Sequence, residues 1–265
     1  MAGLRDSNIL VTRPVPQAND LALLIEQQKG HAVIFPTLAI EPLKDVISVE
    51  KRLENIACYQ WLVFISANAV NFAHQANKGK IENFKRLKIA AIGKATTKAL
   101  KNKGLSVDLT PDSGFNSEAL LKRPILHAIK GQRFLIIRGQ GGRETLANTL
   151  KQRGAIVDYL EVYRRVKPKS TDDSEVVSLL NQKKLTAITI TSGEALNNLI
   201  ALLAGRIIET RLLEVPLIVI SVRLKEMAIK LGFRDVLVSA SPANTAIIKT
   251  VITVCNGEDC GRKSN

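Results

Sequence analysis

Short polar clusters follow the apolar runs of this sequence, and each stands where a strand would give way to a helix. The free N–H groups and the dipole of a helix start favour a bound anion. We therefore expect these clusters to form a set of anion-binding sites. The candidate binding residues are Thr12, Arg13, Ser66, Asn68, Gly93, Thr96, Arg138, Gly139, Arg143, Thr191, Ser192, Ser221 and Arg223.

The glycine-rich segment Gly139–Arg143 resembles a phosphate loop, but it lacks the glycine spacing of a dinucleotide fingerprint and any Gly-Lys-Ser/Thr. Its glycines make a tight strand-to-helix turn, bind an anion, or do both. Ser66 and Ser192 lie in no Gly-x-Ser-x-Gly motif. We interpret these two serines either as helix N-caps or as hydrogen-bond donors to a ligand carboxylate.

Tyr163 stands between Glu161 and Arg164 and either packs in a strand or donates a proton or hydrogen bond beside a cleft. The sequence offers no acidic pair for catalysis. Its three histidines and three cysteines show no metal-ligand or disulfide spacing. We expect no metal and no cofactor.

The elements that position these residues occur twice. Ile9–Pro36 and Phe134–Leu160 both contain an apolar run, an arginine, a Pro- or Gly-rich turn, an amphipathic helix, a glycine and a second apolar run. The matched residues are Arg13 with Arg138, Ser66 with Ser192, Gly93 with Ser221 and Asn116 with Asn244. A repeat of this length indicates two copies of one structural unit.

The apolar runs are nearly continuous, which is typical of parallel strands buried on both faces, and helical patterns separate them. The sequence therefore predicts the α/β class, with two doubly wound parallel-sheet (flavodoxin-like) domains. The predicted strands are Ile9–Thr12, Ala32–Phe35, Trp61–Ile65, Ile89–Ile92, Ser106–Leu109, Arg133–Arg138, Ile156–Val162, Ala187–Thr191, Leu217–Ser221 and Val236–Ser239. The predicted helices are Gln17–Lys29, Ala67–Asn77, Ala95–Lys103, Ser117–Leu126, Arg143–Arg153, Gly193–Leu203, Arg223–Leu231 and Ala243–Val254.

The net charge of +14 indicates a nucleic acid, an anionic membrane surface or a polyanionic small molecule as partner. Many lysines, Lys98, Lys101 and Lys103 among them, are interpreted as solvated surface. No aromatic interleaving or nucleic-acid-binding motif accompanies the charge. No apolar run is long enough to span a bilayer, and the N-terminus lacks a signal segment. We expect a cytoplasmic monomer that binds neither nucleic acid nor membrane.

Taken in order, the motifs resemble those of the uroporphyrinogen-III synthase family over nearly the whole chain. The matching segments are ILVTRPVPQ, FPTLAIEPL, VFISANAV, IAAIGKATTKAL, NSEALL, FLIIRGQGGRETLANTLKQRGAIVDYLEVYRR, ITSGEALNNL, VISVRLKEMAIKLGF and SPANTAII. The resemblance implies two α/β domains that face each other across a cleft and are joined by a two-stranded β linker. Domain 1 would comprise residues 1–37 with 169–255, domain 2 residues 44–160, the hinge strands 38–43 and 161–168, and a polar tail 256–265.

The resemblance also implies a reaction. The family closes hydroxymethylbilane, a linear tetrapyrrole with eight carboxylates, to uroporphyrinogen III with loss of water and inversion of ring D through a spiro intermediate. Tyr163 would assist departure of the hydroxyl group as a hydrogen-bond donor. The main chain around Thr12, Ser66, Gly93, Ser192 and Ser221 would hold carboxylates, and Arg138 and Arg143 would add charge.

The implied partners are this small polycarboxylate and, by transient handover, hydroxymethylbilane synthase. Ser221-Val222-Arg223 departs from the Gly-x-Thr-Thr of some relatives. Two alternatives stay open: a non-catalytic bilobed α/β protein that binds anions or nucleic acid, and a sugar- or nucleotide-binding α/β protein. The second would need an acidic residue for ribose hydroxyls, and none is well placed.

Overall fold

The computed structural model describes residues 3–168, 172–204 and 209–257. The chain divides into two compact units: unit 1 comprises Met1–Ala39 and Val166–Asn265, and unit 2 comprises Ile40–Arg165. Most of the predicted polar tail, residues 258–265 with Cys260, lies outside the described residues, as do 169–171 and 205–208 of the predicted domain 1.

Strands and helices alternate along the described chain. The strands are β1 (Asn8–Val11), β2 (His31–Ile34), β3 (Ala39–Pro42), β4 (Trp61–Phe64), β5 (Lys88–Ala91), β6 (Arg133–Gly139), β7 (Ile156–Val166), β8 (Leu185–Ile190), β9 (Leu217–Val219) and β10 (Val236–Val238). The helices are α1 (Val15–Gln27), α2 (Val46–Glu54), α3 (Ala67–Ala76), α4 (Glu82–Lys85), α5 (Lys94–Asn102), α6 (Ser117–Leu121), α7 (Thr145–Gln152), α8 (Ser174–Asn181), α9 (Gly193–Leu203), α10 (Glu209–Glu214), α11 (Val222–Lys230) and α12 (Asn244–Cys255).

Each unit is built on one sheet. The strand order is β10-β9-β8-β1-β2 in unit 1, and β3-β7-β6-β4-β5 in the sheet of unit 2. The pairs β1–β2, β1–β8 and β8–β9 of the first sheet are parallel, as are β4–β5, β4–β6 and β6–β7 of the second. This arrangement confirms the predicted α/β class with two parallel sheets.

Both faces of each sheet are covered, as the continuous apolar runs predicted. In β4, Leu62 and Phe64 pack with the cluster on one face, whereas Trp61 and Val63 pack with the cluster on the other. All four of these side chains are buried. Such two-sided burial requires helices on both sides of a parallel sheet, which the sequence supplies.

The two segments that the family resemblance implies as hinge strands contain strands that lie side by side. Residues 38–43 contain β3, and residues 161–168 contain the end of β7, which runs unbroken from Ile156 to Val166. β3 is the neighbour of β7 at one edge of the second sheet. An ion pair of 2.8 Å between Arg164 and Glu41 joins them.

Two sequence predictions of secondary structure are wrong. Residues 106–109 do not form a strand; they make only an isolated bridge between Leu109 and Ala90, because the Asp108 carboxylate accepts the Ile89 N–H at 2.7 Å in place of a backbone carbonyl. The predicted helix 117–126 ends at Leu121, since a residue before a proline, here Arg123, is disfavoured in helical conformation. Within the described ranges, no helix is long and apolar enough to cross a membrane.

Candidate active site

Three serines begin helices in the same way. Ser66, Ser192 and Ser221 adopt nearly identical extended conformations, with φ of −158°, −154° and −161°. Each Oγ accepts the backbone N–H three residues later, at 3.0, 3.1 and 3.3 Å. Gly93 holds the equivalent position before α5 in a similar conformation, with φ −149°, and has no capping side chain. The N-cap interpretation of Ser66 and Ser192 is therefore confirmed.

The candidate residues follow the carboxyl ends of parallel strands, where ligands bind in sheets of this kind. The structure brings them together in two groups, one in each unit. In unit 2, the strands β4, β5, β6 and β7 end near the positions of Ser66, Asn68, Gly93, Thr96, Arg138, Gly139, Arg143 and Tyr163. In unit 1, the strands β1, β8 and β9 end near Thr12, Arg13, Thr191, Ser192, Ser221 and Arg223.

The direction of the Tyr163 side chain depends on an irregularity in β7. Arg138 pairs with Glu161, but the next residue, Gly139, pairs with Tyr163, so β7 carries one extra residue at this point. Such a bulge re-aims the side chain that follows it. Tyr163 consequently packs on the same face as its neighbour Val162, whereas Tyr159 packs on the opposite face.

The Tyr163 side chain is enclosed by unit 2, with only 2% of its surface exposed. Its ring stacks against Phe72 of α3, with 5.6 Å between the ring centroids. Its hydroxyl oxygen lies 3.2 Å from Oγ of Ser66, and either hydroxyl can be the donor. The phenol is thus held at the start of α3, where the helix dipole favours negative charge.

Arg138 is committed to contacts within the protein. Its guanidinium is 3% exposed, donates to the carbonyls of Gly139 and Gly141, and lies 3.4 Å from the Glu144 carboxylate. It also lies over the Tyr159 ring, at 4.7 Å from the centroid. A guanidinium so placed organises the loop that follows β6 rather than reaching into open space.

Tyr159, Glu144 and Glu161 are further residues of this network that the sequence analysis did not single out. The Tyr159 hydroxyl donates to Glu144 at 2.6 Å, and the Glu161 carboxylate accepts the Gly141 N–H at 2.9 Å. Burial, together with the hydrogen bond to Glu144, raises the pKa of Tyr159 to about 12. The alternation of Tyr159 and Glu161 with apolar residues along β7 is the sequence signal that marks them.

These elements surround a cavity of about 310 Å³ within unit 2. Its lining includes Tyr163 and Tyr159, the cations Arg143 and Arg165, and Asn116 from the start of α6. Arg143 is mostly exposed and forms an ion pair of 3.7 Å with Glu118. The cavity can therefore hold a ligand that presents carboxylates, with a phenol hydroxyl at its wall.

In unit 1, the side chains of Thr12 and Arg13 have partners in the protein. Thr12 is fully buried and donates its hydroxyl to the Thr189 carbonyl at 2.7 Å, so only its main chain can face a ligand. Arg13 donates to Oδ1 of Asn244 and, at 3.0 Å, to the Pro242 carbonyl. Burial lowers the pKa of the Arg13 guanidinium, and a nearby carboxylate opposes that shift.

The remaining candidates differ in how accessible they are. Arg223 is exposed at the start of α11, Asn68 is half-buried, and Thr96 is on the buried face of α5. Among the residues described, no three His, Cys, Asp or Glu side chains are grouped closely enough to hold a metal ion.

Known proteins match this chain along most of its length. The family model described as "Uroporphyrinogen-III synthase HemD" matches residues 19–249. The chain is 33% identical over 245 residues to the uroporphyrinogen-III synthase of Escherichia coli, with 92% of this chain and 99% of that protein covered. It is 33% identical over 246 residues to the synthase of Salmonella typhimurium, with coverage of 92% and 99%.

Two solved structures show the same fold. A mutant uroporphyrinogen III synthase of Thermus thermophilus superimposes with a TM-score of 0.59 at 17% identity, covering 95% of this chain and 99% of that one. The uroporphyrinogen-III synthetase of Helicobacter pylori superimposes with a TM-score of 0.59 at 14% identity, with coverage of 94% and 99%.

Proposed function

The chain belongs to the uroporphyrinogen-III synthase family, and we propose that Tyr163 helps the hydroxyl group of hydroxymethylbilane to leave as its chain is closed. The protein is a cyclising lyase of porphyrin and haem biosynthesis. A non-catalytic bilobed protein that binds anions or nucleic acid is not favoured, because the match extends to curated enzymes over nearly their full length.

The reaction depends more on how the substrate is positioned than on a strongly acidic group. Loss of the terminal hydroxyl with a proton gives water and an azafulvene. The substituted carbon of ring D then attacks the azafulvene carbon to give a spiro intermediate, which fragments and recloses as the type III isomer. Without the protein, the chain closes to the symmetric type I isomer. The enzyme must therefore hold the substrate bent so that the substituted carbon is the one in reach.

The contact between Tyr163 and Ser66 is the observation that carries the proposed role. Ser66 Oγ accepts the Ala69 N–H, and its own proton is free to point to the Tyr163 oxygen 3.2 Å away. In that arrangement, the Tyr163 O–H is left to donate to the departing hydroxyl of the substrate. Such a hydrogen bond strengthens as negative charge develops on the leaving oxygen.

The substrate carboxylates would be held chiefly by main-chain N–H groups at the starts of helices. These sites are Ser66 and Gly93 in unit 2, and Thr12, Ser192 and Ser221 in unit 1. Asn68, Thr96, Gly139 and Thr191 belong to the same strand ends, and the exposed side chains of Arg143 and Arg223 would add charge. Arg13 and Arg138 would act by positioning the loops that they bind, since their guanidiniums already have partners.

The decisive experiment supplies hydroxymethylbilane made in situ to the purified protein, oxidises the products and separates the isomers by chromatography. We expect the type III isomer in excess of a reaction without enzyme. Formation of the type I isomer alone, at the rate of the control, would contradict the proposed function.

We also propose that the protein acts as a cytoplasmic monomer and receives its substrate by transient handover from hydroxymethylbilane synthase. Handover would limit the time in which free hydroxymethylbilane closes unassisted to the type I isomer. Light scattering tests the monomer, and a stable dimer would refute it. If handover occurs, the type I fraction should stay low when the two enzymes are diluted together at a fixed ratio.

A further inference from the structure

A groove of unit 2 lies beside α5, and the side chains that line it have no part in the steps proposed above. Its volume is about 560 Å³, and it is lined by Lys94, Lys98 and Lys101 of α5 and by Phe115. Residues at these intervals lie on the same face of a helix. The opposite side of α5 is fixed to the core by Leu100, which is fully buried. The lysine face is therefore free to meet a ligand.

The protein leaves the positive charge of this groove unneutralised. Within the described residues, none of the three lysines forms an ion pair, and the lining carboxylate, Asp112, is already bound by Arg123. A groove with unpaired cations attracts anions from solution.

Phe115 adds an aromatic surface to the groove. Its side chain is 52% exposed, although a phenylalanine is usually buried. The Lys94 ammonium lies 5.2 Å from the centre of its ring. An exposed ring flanked by ammonium groups suits a flat, electron-rich heterocycle that carries carboxylates, because the ring offers a stacking face and the lysines offer ion pairs.

The second copy of the repeat shows that the fold does not require these side chains. α11 is the counterpart of α5 and has the same length, but it carries Val222, Glu226 and Ile229 where α5 carries the three lysines. Ala243 occupies the position that corresponds to Phe115. The lysines and the phenylalanine therefore distinguish unit 2 from a copy that folds without them.

The groove adjoins the cavity that contains Tyr163. Ile92 and Asn116 line that cavity, while their chain neighbours Gly93 and Phe115 line the groove. The two regions are therefore next to each other in unit 2.

We propose that this groove binds one carboxylate-bearing pyrrole ring of the linear tetrapyrrole, with the ring against Phe115 and its carboxylates on Lys98 and Lys101. The inference rests on the proposed function and extends it by a second binding region. The groove would hold one part of the chain while the reacting end lies near Tyr163. Its contribution is to substrate affinity and to the bend of the chain, and not to the departure of the hydroxyl.

The double variant Lys98→Gln/Lys101→Gln tests the ion pairs. We expect KM for hydroxymethylbilane to rise about threefold to tenfold, as for the loss of two partly exposed ion pairs, with a smaller change in kcat. The difference from the wild type should shrink as salt is added, because salt screens exposed charges. Lys44→Gln/Lys80→Gln is the matched control, since it removes the same charge from exposed positions elsewhere on unit 2. An unchanged KM, or an equal rise in the control, overturns the inference.

Phe115→Leu tests the stacking face, because it keeps an apolar side chain and removes the ring. We expect KM to rise by about twofold to tenfold, in line with the worth of aromatic contacts. Values of KM equal to that of the wild type would show that the ring does not contact the substrate.

A binding measurement separates this inference from the proposed function. Uroporphyrin III, a stable polycarboxylate, is titrated with each protein, and the porphyrin fluorescence is followed. If the wild type forms no type III isomer, the proposed function fails. The titration then still tests whether the groove binds carboxylates. Weaker binding by the Lys98/Lys101 variant than by the control supports the groove as a carboxylate site, and equal binding overturns it.

Discussion

The ring of Tyr163 lies directly against the α-carbon of Gly139, so that a β-carbon at position 139 would stand 2.5 Å from Cε2 and Cζ of the tyrosine. No side chain other than hydrogen fits between the two residues. The bulge in β7 creates this contact, because it pairs Tyr163, and not Val162, with Gly139. Because Gly139 has no side chain, it leaves room for the Tyr163 ring, and it also precedes the turn after β6.

Gly139→Ala should displace the Tyr163 ring. The overlap is with ring atoms packed against Phe72, so relief requires movement of a buried side chain, at a cost of about 1–3 kcal/mol in the free energy of unfolding. The rate at which the type III isomer forms should also fall, because the Tyr163 ring is displaced. Urea unfolding followed by circular dichroism measures the first effect, and the isomer assay the second.

The double variant Gly139→Ala/Tyr163→Leu checks the origin of that loss. If the clash is the cause, the alanine should destabilise the leucine background much less than the wild type, because the ring is gone. Equal losses in both backgrounds would assign the effect to the backbone at position 139 instead.

Tyr163→Phe should separate catalysis from packing. The ring still fits between Gly139 and Phe72, so the free energy of unfolding should change by about 1 kcal/mol or less, as for one neutral hydrogen bond. The rate of type III formation should fall about 10- to 100-fold, since the donor to the leaving hydroxyl is lost. Tyr59→Phe is the control: its hydroxyl binds Asp158 at 2.9 Å, outside the Tyr163 cavity. A rate equal to that of the wild type would remove Tyr163 from the mechanism.

Ser66→Gly should lower activity with little loss of stability. Glycine is a fair N-cap, worth only a few tenths of a kcal/mol less than serine, and Gly93 already fills the matched position before α5. The hydroxyl that orients Tyr163 would be gone. We expect a fall of about threefold or more in the rate of type III formation with near-native unfolding in urea. A rate unchanged from the wild type would show that Tyr163 is oriented by other groups.

The sequence predicts most of the fold because the signals for its elements are local and occur twice. Apolar runs and the glycines after helices locate nearly all strands and long helices. The error at residues 106–109 has a different origin: Asp108 competes for a backbone N–H, and only the tertiary contact with Ile89 reveals that it does. The single-turn helix α4 is too short to show an amphipathic pattern, and α2, although as long as α5, is absent from the predicted helices.

The candidate site is less accessible to sequence reasoning. The strand-end positions and the serine caps follow from the pattern, but the direction of Tyr163 follows from a bulge that only strand pairing shows. Regular alternation would have placed Tyr163 on the face of Tyr159. Likewise, Arg13 and Arg138 resemble free cations in the sequence, whereas folding supplies each with its own acceptors. Burial of a charge is decided by loop geometry that no local motif encodes.

Tyr159 should make stability depend on pH in the alkaline range. Its pKa is raised to about 12, above the ordinary value of 10.0, so the folded state keeps a proton that the unfolded state loses. The stabilising contribution is complete below about pH 10 and is lost as the pH rises to about 12. Comparing urea unfolding of the wild type and Tyr159→Phe across this range isolates the effect. If the free energy of unfolding changes with pH in the same way for both proteins, the Tyr159 hydroxyl has the same pKa in the folded and unfolded states.

Arg138→Lys should destabilise unit 2 although it keeps the charge. A lysine ammonium cannot reach the carbonyls of Gly139 and Gly141 and the Glu144 carboxylate together, as the planar guanidinium does. Of the groups left without a partner, the Gly139 carbonyl is buried, whereas Gly141 and Glu144 are exposed, so we expect a loss of about 1–3 kcal/mol in the free energy of unfolding.

The matched control for Arg138→Lys is Arg143→Lys. The Arg143 side chain is 78% exposed, and its ion pair with Glu118 is loose, with 3.7 Å between the charged atoms. Its loss in stability should be about 0.5 kcal/mol or less. Amide hydrogen exchange adds a local readout, since the Gly141 N–H that binds Glu161 should exchange faster when Arg138 no longer holds the loop. Equal stability of the two lysine variants, with unchanged exchange at Gly141, would show that the buried arginine does not organise this loop. Its guanidinium would then be available to pair with a substrate carboxylate, as the sequence alone suggested.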